Sequence, residues 1–237
     1  MKRKPAIDRF FFERALWRQG IMRVAGFDEV GRGPLAGPVV AAAAVLPSAW
    51  LQTGLPKELK GLNDSKQLTA AQRARFFEIL TTRDDVALAI ARVEAEQVDD
   101  FNILRATHHA MNDALVALAP APEHALVDGT PVRMLQLPQT AIVKGDARSY
   151  SIAAASVVAK VTRDRLMEEH DACWPEYGFA EHKGYSTPRH LAALAKHGPC
   201  PIHRRSFAPV RERQQLELAR TLMTQPAHRP QASQARL

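Results

Sequence analysis

The order of apolar segments predicts an α/β fold on a mixed sheet. Three strand-like runs come first, with one helix between the second and third. A helix with a clear 3.6-residue period follows, then two short apolar strands and a long helix. The first two strands are joined by a tight Gly/Pro turn, which makes them a β-hairpin, and Leu-Val and Ile-Val endings at the last two strands lead into Asp-Gly and Lys-Gly-Asp steps, respectively.

Residues 1–20 read as an amphipathic lead-in with Phe10, Phe11 and Phe12 as packing anchors. Met22 to Phe27 is a strand that enters the Asp28-Glu29 step, and Val39 to Leu46 is a second. Alanine favours helix over that second run, but only eight residues lie between Pro38 and Pro47, so a buried strand is the better reading. Residues 48–63 are loop-like. Thr69 or Ser65 can cap a helix running to about Leu80. Val86, Leu88 and Ile90 mark the third strand. Ile103, Ala106, Ala110, Met111, Ala114, Leu115 and Leu118 place a helix over 102–118. Ala125–Val127 and Ala141–Val143 are short buried strands, and a long helix spans about 151–170. No internal repeat is visible, and the tail over 224–237 has no apolar period and reads as disordered.

Composition narrows the function. The 237 residues are 46% hydrophobic, enough for one large domain with a sizeable core, and no run is long enough to cross a membrane. Lys2-Arg3-Lys4 is like the start of a signal peptide, but Asp8, Arg9, Glu13 and Arg14 interrupt the apolar stretch that should follow. Cys173 and Cys200 form no CxxC pair, so a reducing, cytoplasmic compartment fits. The net charge of +7 is concentrated: from Lys183 onward ten Lys/Arg face only Glu212 and Glu217, leaving residues 1–182 at a net of −1. That asymmetry points to a polyanionic partner, nucleic acid above all, although a solvated basic tail has the same composition.

The chemistry lies in GFDEVGRGPLAGP, residues 26–38. A dinucleotide loop needs a helix after its glycines, and here a strand follows Pro34. The acids point elsewhere. Asp28 and Glu29 follow the first strand, Asp128 closes ALVDG and Asp146 closes AIVKGD. Carboxylates at the ends of buried strands are costly unless a cation joins them. Any one of them alone can be a turn or cap residue, Asp146 before Ser149 and Ser151 in particular. Four together favour hard oxygen ligands for Mg²⁺ or Mn²⁺. Two such ions about 4 Å apart hydrolyse phosphodiesters. Neighbouring strand residues point to opposite faces, so Asp28 and Glu29 cannot both face one site from regular β-structure unless the strand ends or bulges there. A zinc site on Cys200 and His203, or Cys173 and His182, lacks a second tight pair. His108 and His109 read as surface residues.

Six blocks, in order from Met22 to Val210, carry a resemblance: GFDEVGRGPLAGPVVAAAAVL, LNDSKQL, LVDG, KGDARSYSIAAASVVAKVTRDR, YGFAEHKGYSTPRHL and HGPCPIHRRSFAPV. Together they resemble ribonuclease HII. The resemblance implies an RNase H-like fold, a mixed five-stranded sheet flanked by helices, with a helical C-terminal extension. The chain is expected to divide into a lead-in over 1–20, which lies outside the resemblance, a catalytic domain over 21–170 and a basic helical region over 171–223 that carries the family's tyrosine loop. The resemblance further implies endonucleolytic cutting of the RNA strand of RNA–DNA hybrids and of single ribonucleotides in duplex DNA, a step of ribonucleotide excision repair. The products would be 3′-hydroxyl and 5′-phosphate ends. The family's catalytic, metal-binding acids fall on Asp28, Glu29, Asp128 and Asp146, with two Mg²⁺ or Mn²⁺ per site. Its substrate clamp falls on Gly31, Arg32 and Gly33, its junction-sensing tyrosine on Tyr185, and Lys66 approaches the nucleic-acid backbone. A cytoplasmic monomer with nucleic acid and no membrane as partner is implied too.

The clamp has a physical basis, because RNA is told from DNA through the 2′-OH, and backbone groups reach it only where no Cβ intervenes. Lys160 and Arg163, on the long helix, can reach phosphate or face solvent, while Ala153, Ala154, Ala155, Ser156 and Ala159 suit close packing on the sheet. Three other readings compete. Ribonuclease HIII would carry an added N-terminal domain, for which the 27 residues before Asp28 leave no room. Another RNase H-like nuclease would give no reason for the Gly-Arg-Gly step. A nucleic-acid binding module without activity would give no reason for the four acids.

Overall fold

The computed structural model describes residues 8–224. The N-terminal Lys/Arg run and the tail from Gln225 lie outside the described residues. Along the chain run α1 (Phe11–Trp17), β1 (Val24–Val30), β2 (Val39–Val45), α2 (Trp50–Thr53), α3 (Ala70–Thr81), β3 (Ala87–Val93), α4 (Ala95–Phe101), α5 (Ile103–Ala117), β4 (His124–Asp128) and β5 (Gln139–Ile142). The long helix α6 (Tyr150–Cys173) follows, then α7 (Phe179–His182), α8 (Pro188–His197) and α9 (Ala208–Thr224).

The five strands form one mixed sheet in the order β3-β2-β1-β4-β5. β1 pairs antiparallel with β2, as the Gly/Pro turn requires, and parallel with β4. Two apolar layers close over it. Val40, Ala42 and Ala44 of β2 pack against Ala153, Ala154, Val157 and Val158 of α6. Val39, Ala41 and Ala43 pack on the opposite face with Ala106, Ala110, Met111 and Ala114 of α5. A strand buried on both faces needs no polar alternation, which is why β2 is nearly all Val and Ala. The small residues of α6 bring that helix onto β1 so closely that a Cβ at Gly26 would stand 2.1 Å from the Ser151 carbonyl carbon. The start of α6 is therefore pinned against the strand that carries the first acids.

Several boundaries differ from the sequence reading. β1 does not stop at the acids but runs to Val30, because Asp28, Glu29 and Val30 all keep register with β2. β5 ends at Ile142, and Val143 is exposed. Asp146 thus sits in a 3₁₀ turn over Gly145–Ala147 rather than on a strand. Thr69, not Ser65, caps α3, in a capping box with Gln72. The loop over 48–63 contains α2 and a 3₁₀ turn at Lys57–Leu59. Helix α4 was not foreseen. Of the three phenylalanines, Phe10 is buried against Tyr150 and Phe12 is half-buried, but Phe11 is 60% exposed and meets only the edge of Phe12 among the described ring contacts.

The unforeseen Glu13 explains why α1 is present. It is buried, and its Oε1 accepts from Ser149 Oγ at 2.6 Å, Ser151 Oγ at 2.9 Å and the Ser151 N–H at 3.2 Å. A carboxyl here satisfies donors at the N-terminus of α6, where the helix dipole also favours it. Arg9 adds its carbonyl to the Tyr150 N–H and a guanidinium bond to the Leu62 carbonyl at 2.7 Å.

Candidate active site

Three loops meet at the carboxyl ends of the parallel strands β1 and β4, the edge where open α/β sheets commonly hold ligands. Asp28 pairs with Ala42, whose side chain faces α6, while Glu29 pairs with Ala41, whose side chain faces α5. The two acids therefore straddle the strand from regular β-structure, without a bulge. Asp128 closes β4, one step beyond the Phe27–Val127 pair, and its Oδ1 takes the Gly145 N–H at 2.6 Å. That bond ties the Asp146 turn to the end of β4.

Asp28, Glu29, Asp128 and Asp146 are linked by charge. Burial, then the charge of Glu29, pushes the Asp28 carboxyl well above the usual carboxylate range, and the Ser156 hydroxyl opposes this with a hydrogen bond. Ser156 Oγ also lies 2.9 Å from Ser65 Oγ, which fastens the Asp64–Lys66 segment to α6. Glu29 is raised by burial and held back by Arg32, 3.2 Å away. Asp146 is raised to about 6 by burial, then by Asp128 and Asp64, with Lys66 opposing. Among the described residues no three His, Cys, Asp or Glu side chains are gathered into a ready-made metal cage. What the fold assembles instead is a set of mutually repelling, partly dehydrated carboxyls.

Lys66 is exposed, and its positive charge opposes the rise at Asp146. Asp64, which caps the 3₁₀ turn at Ser65–Gln67 by accepting the Lys66 N–H at 2.8 Å, is a further acid in this neighbourhood that the sequence reading did not single out. On the α5 side a cavity of about 180 Å³ is lined by Glu29, Arg32, His108, Asp128, Gly129 and Thr130. His108 is consequently a half-buried wall of the site, not the surface residue expected, and His109 is half-buried against Phe101.

β1 turns at once into Gly31-Arg32-Gly33. Gly31 has φ +95°, and a Cβ there would meet Arg163 Nε at 2.3 Å and the Pro38 carbonyl at 2.6 Å. Gly33 is different: it is exposed, and a Cβ would meet only Tyr185 Cε1, at 3.7 Å. Tyr185 is 43% exposed, so its ring stands free beside the turn. Its carbonyl is held by His190 Nδ1 at 2.9 Å, while His190 Nε2 meets His203 Nε2 at 3.0 Å. The Cys200 N–H donates to His203 Nδ1 at 3.0 Å, so the Cys-x-x-His pair is an internal support of the tyrosine loop. Arg163 was expected to reach phosphate or solvent; it is buried and donates to the carbonyls of Pro38, Ala36 and Lys183. Lys160 pairs with Asp164 at 2.7 Å.

The chain and its fold have known relatives. A family model described as ribonuclease HII matches residues 25–210. The chain belongs to the ribonuclease HII family. A ribonuclease HII from Geobacillus thermodenitrificans is 53% identical over 201 residues, which cover 85% of this chain and 74% of that protein. One from Syntrophotalea carbinolica is 52% identical over 202 residues, covering 85% and 93%. Among solved structures, the ribonuclease H2 from Pyrococcus horikoshii OT3 superposes with a TM-score of 0.69 at 31% identity, over 82% of this chain and 98% of that one. The fold is thus that of ribonuclease H2, and the chain is an endoribonuclease. No helix among the described residues is long and apolar enough to cross a membrane.

Proposed function

We propose that this ribonuclease HII cuts the strand containing ribonucleotides in RNA–DNA hybrids, and single ribonucleotides in duplex DNA, leaving 3′-hydroxyl and 5′-phosphate ends. The observation that carries the reading is the adjacency on one hairpin: Asp28 and Glu29 near the end of β1, and four residues after Glu29 the exposed Gly33 beside a free tyrosine ring. Acids for phosphodiester chemistry and a surface open to a ribose are built on the same short segment.

The donor set suits a hard divalent cation, Mg²⁺ or Mn²⁺. Asp28, Glu29 and Asp146 are each raised by burial and by a neighbouring carboxyl, a cost that positive charge relieves. A relative in the fold, Bst-RNase HIII, has been solved in complex with Mn²⁺, at 19% identity and a TM-score of 0.60. Bound ions would supply an activated water and neutralise the charge that develops on the phosphate. Asp28, Asp128 and Asp146 would hold them from the α6 side and Glu29 from the α5 side. Around them the chain's own groups position the substrate. Gly33 lets the backbone approach the 2′-OH, which both donates and accepts. Arg32 stands between Glu29 and solvent, where it meets a phosphate. Tyr185 offers a flat face to the adjoining sugar, and Lys66 a charge to the backbone. The basic region over 171–223 carries the flanking duplex, consistent with the charge asymmetry.

Duplex DNA carrying one ribonucleotide, incubated with Mg²⁺ or Mn²⁺ and then with EDTA, tests this. A metal-dependent nick at the ribonucleotide is expected. No nick would overturn the proposal, and equal cutting of all-DNA duplex would assign a general nuclease instead.

A further inference from the structure

We infer that Arg204 is a positioning residue for ribose recognition: it holds the Gly31–Gly33 turn in the one orientation that presents the Arg32 and Gly33 N–H groups to the substrate. The inference rests on the proposed role of that turn. Arg204 is fully buried and forms no ion pair among the described residues. Its guanidinium donates instead to four carbonyls of one loop: Gly31 at 2.6 Å, Arg32 at 3.1 Å, Pro34 at 2.9 Å and Gly37 at 2.7 and 3.0 Å. Arg163 takes the other end of the loop, through the carbonyls of Ala36 and Pro38. A buried charge that spends its whole donor fork on main-chain oxygens serves the shape of that main chain, because a planar five-donor group fits only one arrangement of acceptors.

The consequence follows from peptide geometry. In a trans peptide the carbonyl of one residue and the N–H of the next point in opposite directions. Drawing the Gly31 and Arg32 carbonyls inward to Arg204 turns the Arg32 and Gly33 N–H groups outward. Neither N–H has an acceptor in the fold among the described residues, whereas the next available one, Leu35, is engaged by the Gly184 carbonyl at 2.8 Å. Two successive free donors on an exposed turn are suited to a 2′-hydroxyl or a phosphate oxygen. Burial and the neighbouring Arg163 lower the Arg204 pKa to about 9, so the staple keeps its charge at neutral pH. The same arginine's main chain joins the loop, since its N–H donates to the Leu35 carbonyl at 2.8 Å.

The test uses the full chain with Arg204→Met and Arg204→Lys. Two readouts are taken: steady-state kinetics on duplex DNA with one ribonucleotide, well below each variant's thermal midpoint, and amide hydrogen exchange over residues 31–38 against α3 as control. For a turn displaced by about 1 Å, Arg204→Met is expected to lose about 100-fold in kcat/KM, mostly in kcat. Exchange over 31–38 should quicken while α3 is unchanged. Arg204→Lys, which can serve two of the four carbonyls, should recover part of the rate. A folded Arg204→Met with kcat/KM within about threefold of wild type overturns the inference. So does unchanged exchange over 31–38. If Arg204→Met does not fold, Arg204→Lys decides by the same two readouts. If the wild-type protein fails to cut the ribonucleotide, the proposed function falls, and exchange alone judges whether Arg204 orders the turn.

Discussion

Replacing Asp146 by asparagine is expected to make the cation-free protein more stable and to blunt its response to divalent ions. Burial first, then the charges of Asp128 and Asp64, raise this carboxyl from its usual 3.8 to about 6. A folded-state pKa above the unfolded one means that the proton is held more tightly in the native protein. The associated stability is complete below about pH 4, and is lost as pH rises through about 6. A shift of that size is worth at most about 3 kcal/mol. Solvent on the open side of the carboxyl reduces this to about 1–2 kcal/mol. Asparagine has no charge to bury, so it avoids the loss at neutral pH. At about 2–4 °C per kcal/mol for a chain of this length, the midpoint should rise by about 2–8 °C at about pH 7.5 in EDTA. At about pH 4 the two proteins should coincide. Mn²⁺ should raise the wild-type midpoint and move the variant less. Thermal unfolding followed by circular dichroism, at both pH values with EDTA or Mn²⁺, reads all of this. A variant no more stable than wild type at neutral pH in EDTA would refute the account, and so would a difference that persists undiminished at about pH 4.

The two glycines of the turn should separate stability from activity. Gly31→Ala, with its left-handed backbone and a 2.3 Å approach to Arg163, should cost more than about 3 kcal/mol in denaturant unfolding. Gly33→Ala should unfold within about 0.5 kcal/mol of wild type, yet lose most ribonucleotide cutting in the nick assay. Arg32→Ala, which removes an exposed pair with Glu29, should change stability by less than about 1 kcal/mol but raise KM in steady-state kinetics. Glu13→Ala should cost about 2–4 kcal/mol by stranding the Ser149 and Ser151 donors, while Glu13→Gln, whose amide oxygen still accepts, should recover most of that in urea titrations.

The sheet was legible because its signals are local. The β1–β2 hairpin follows from a Gly/Pro turn between two apolar runs, and α5 from its apolar period. The opposite facing of Asp28 and Glu29 follows from strand alternation, and the structure resolves the difficulty by letting the acids straddle a regular strand. Helix α4 escaped because it is only seven residues long, although Glu94 and Gln97 form a capping box. Glu13, Arg163 and Arg204 escaped for a different reason. Charged side chains are seldom fully buried, and nothing in a sequence marks one whose partners are main-chain carbonyls or serine hydroxyls far along the chain. His108 was misplaced because its helical face is shared with the α5 core, and only the position of the β1 and β4 ends turns that face into a wall of the site.

Chain connectivity alone does not tie cutting to the right sugar. Five residues separate Asp28 from Gly33, a reach of at most about 17 Å if extended. A nucleic-acid strand advances about 3.4 Å per nucleotide, so an unrestrained loop of that length could test any of several sugars for one bound phosphate. Selecting a single nucleotide requires that the loop lose this freedom. The fold removes it in three places: regular β-pairing carries β1 past both acids to Val30, Gly31 is wedged against Arg163 and Pro38, and the carbonyls of Gly31, Arg32, Pro34 and Gly37 converge on Arg204. Both arginines come from segments that follow the catalytic sheet in sequence, and the bond from Leu35 to Gly184 joins the same turn to the tyrosine loop. The C-terminal region thus contributes more than basic charge: through Arg204 and Gly184 it fixes the turn proposed to read the ribose relative to the acids.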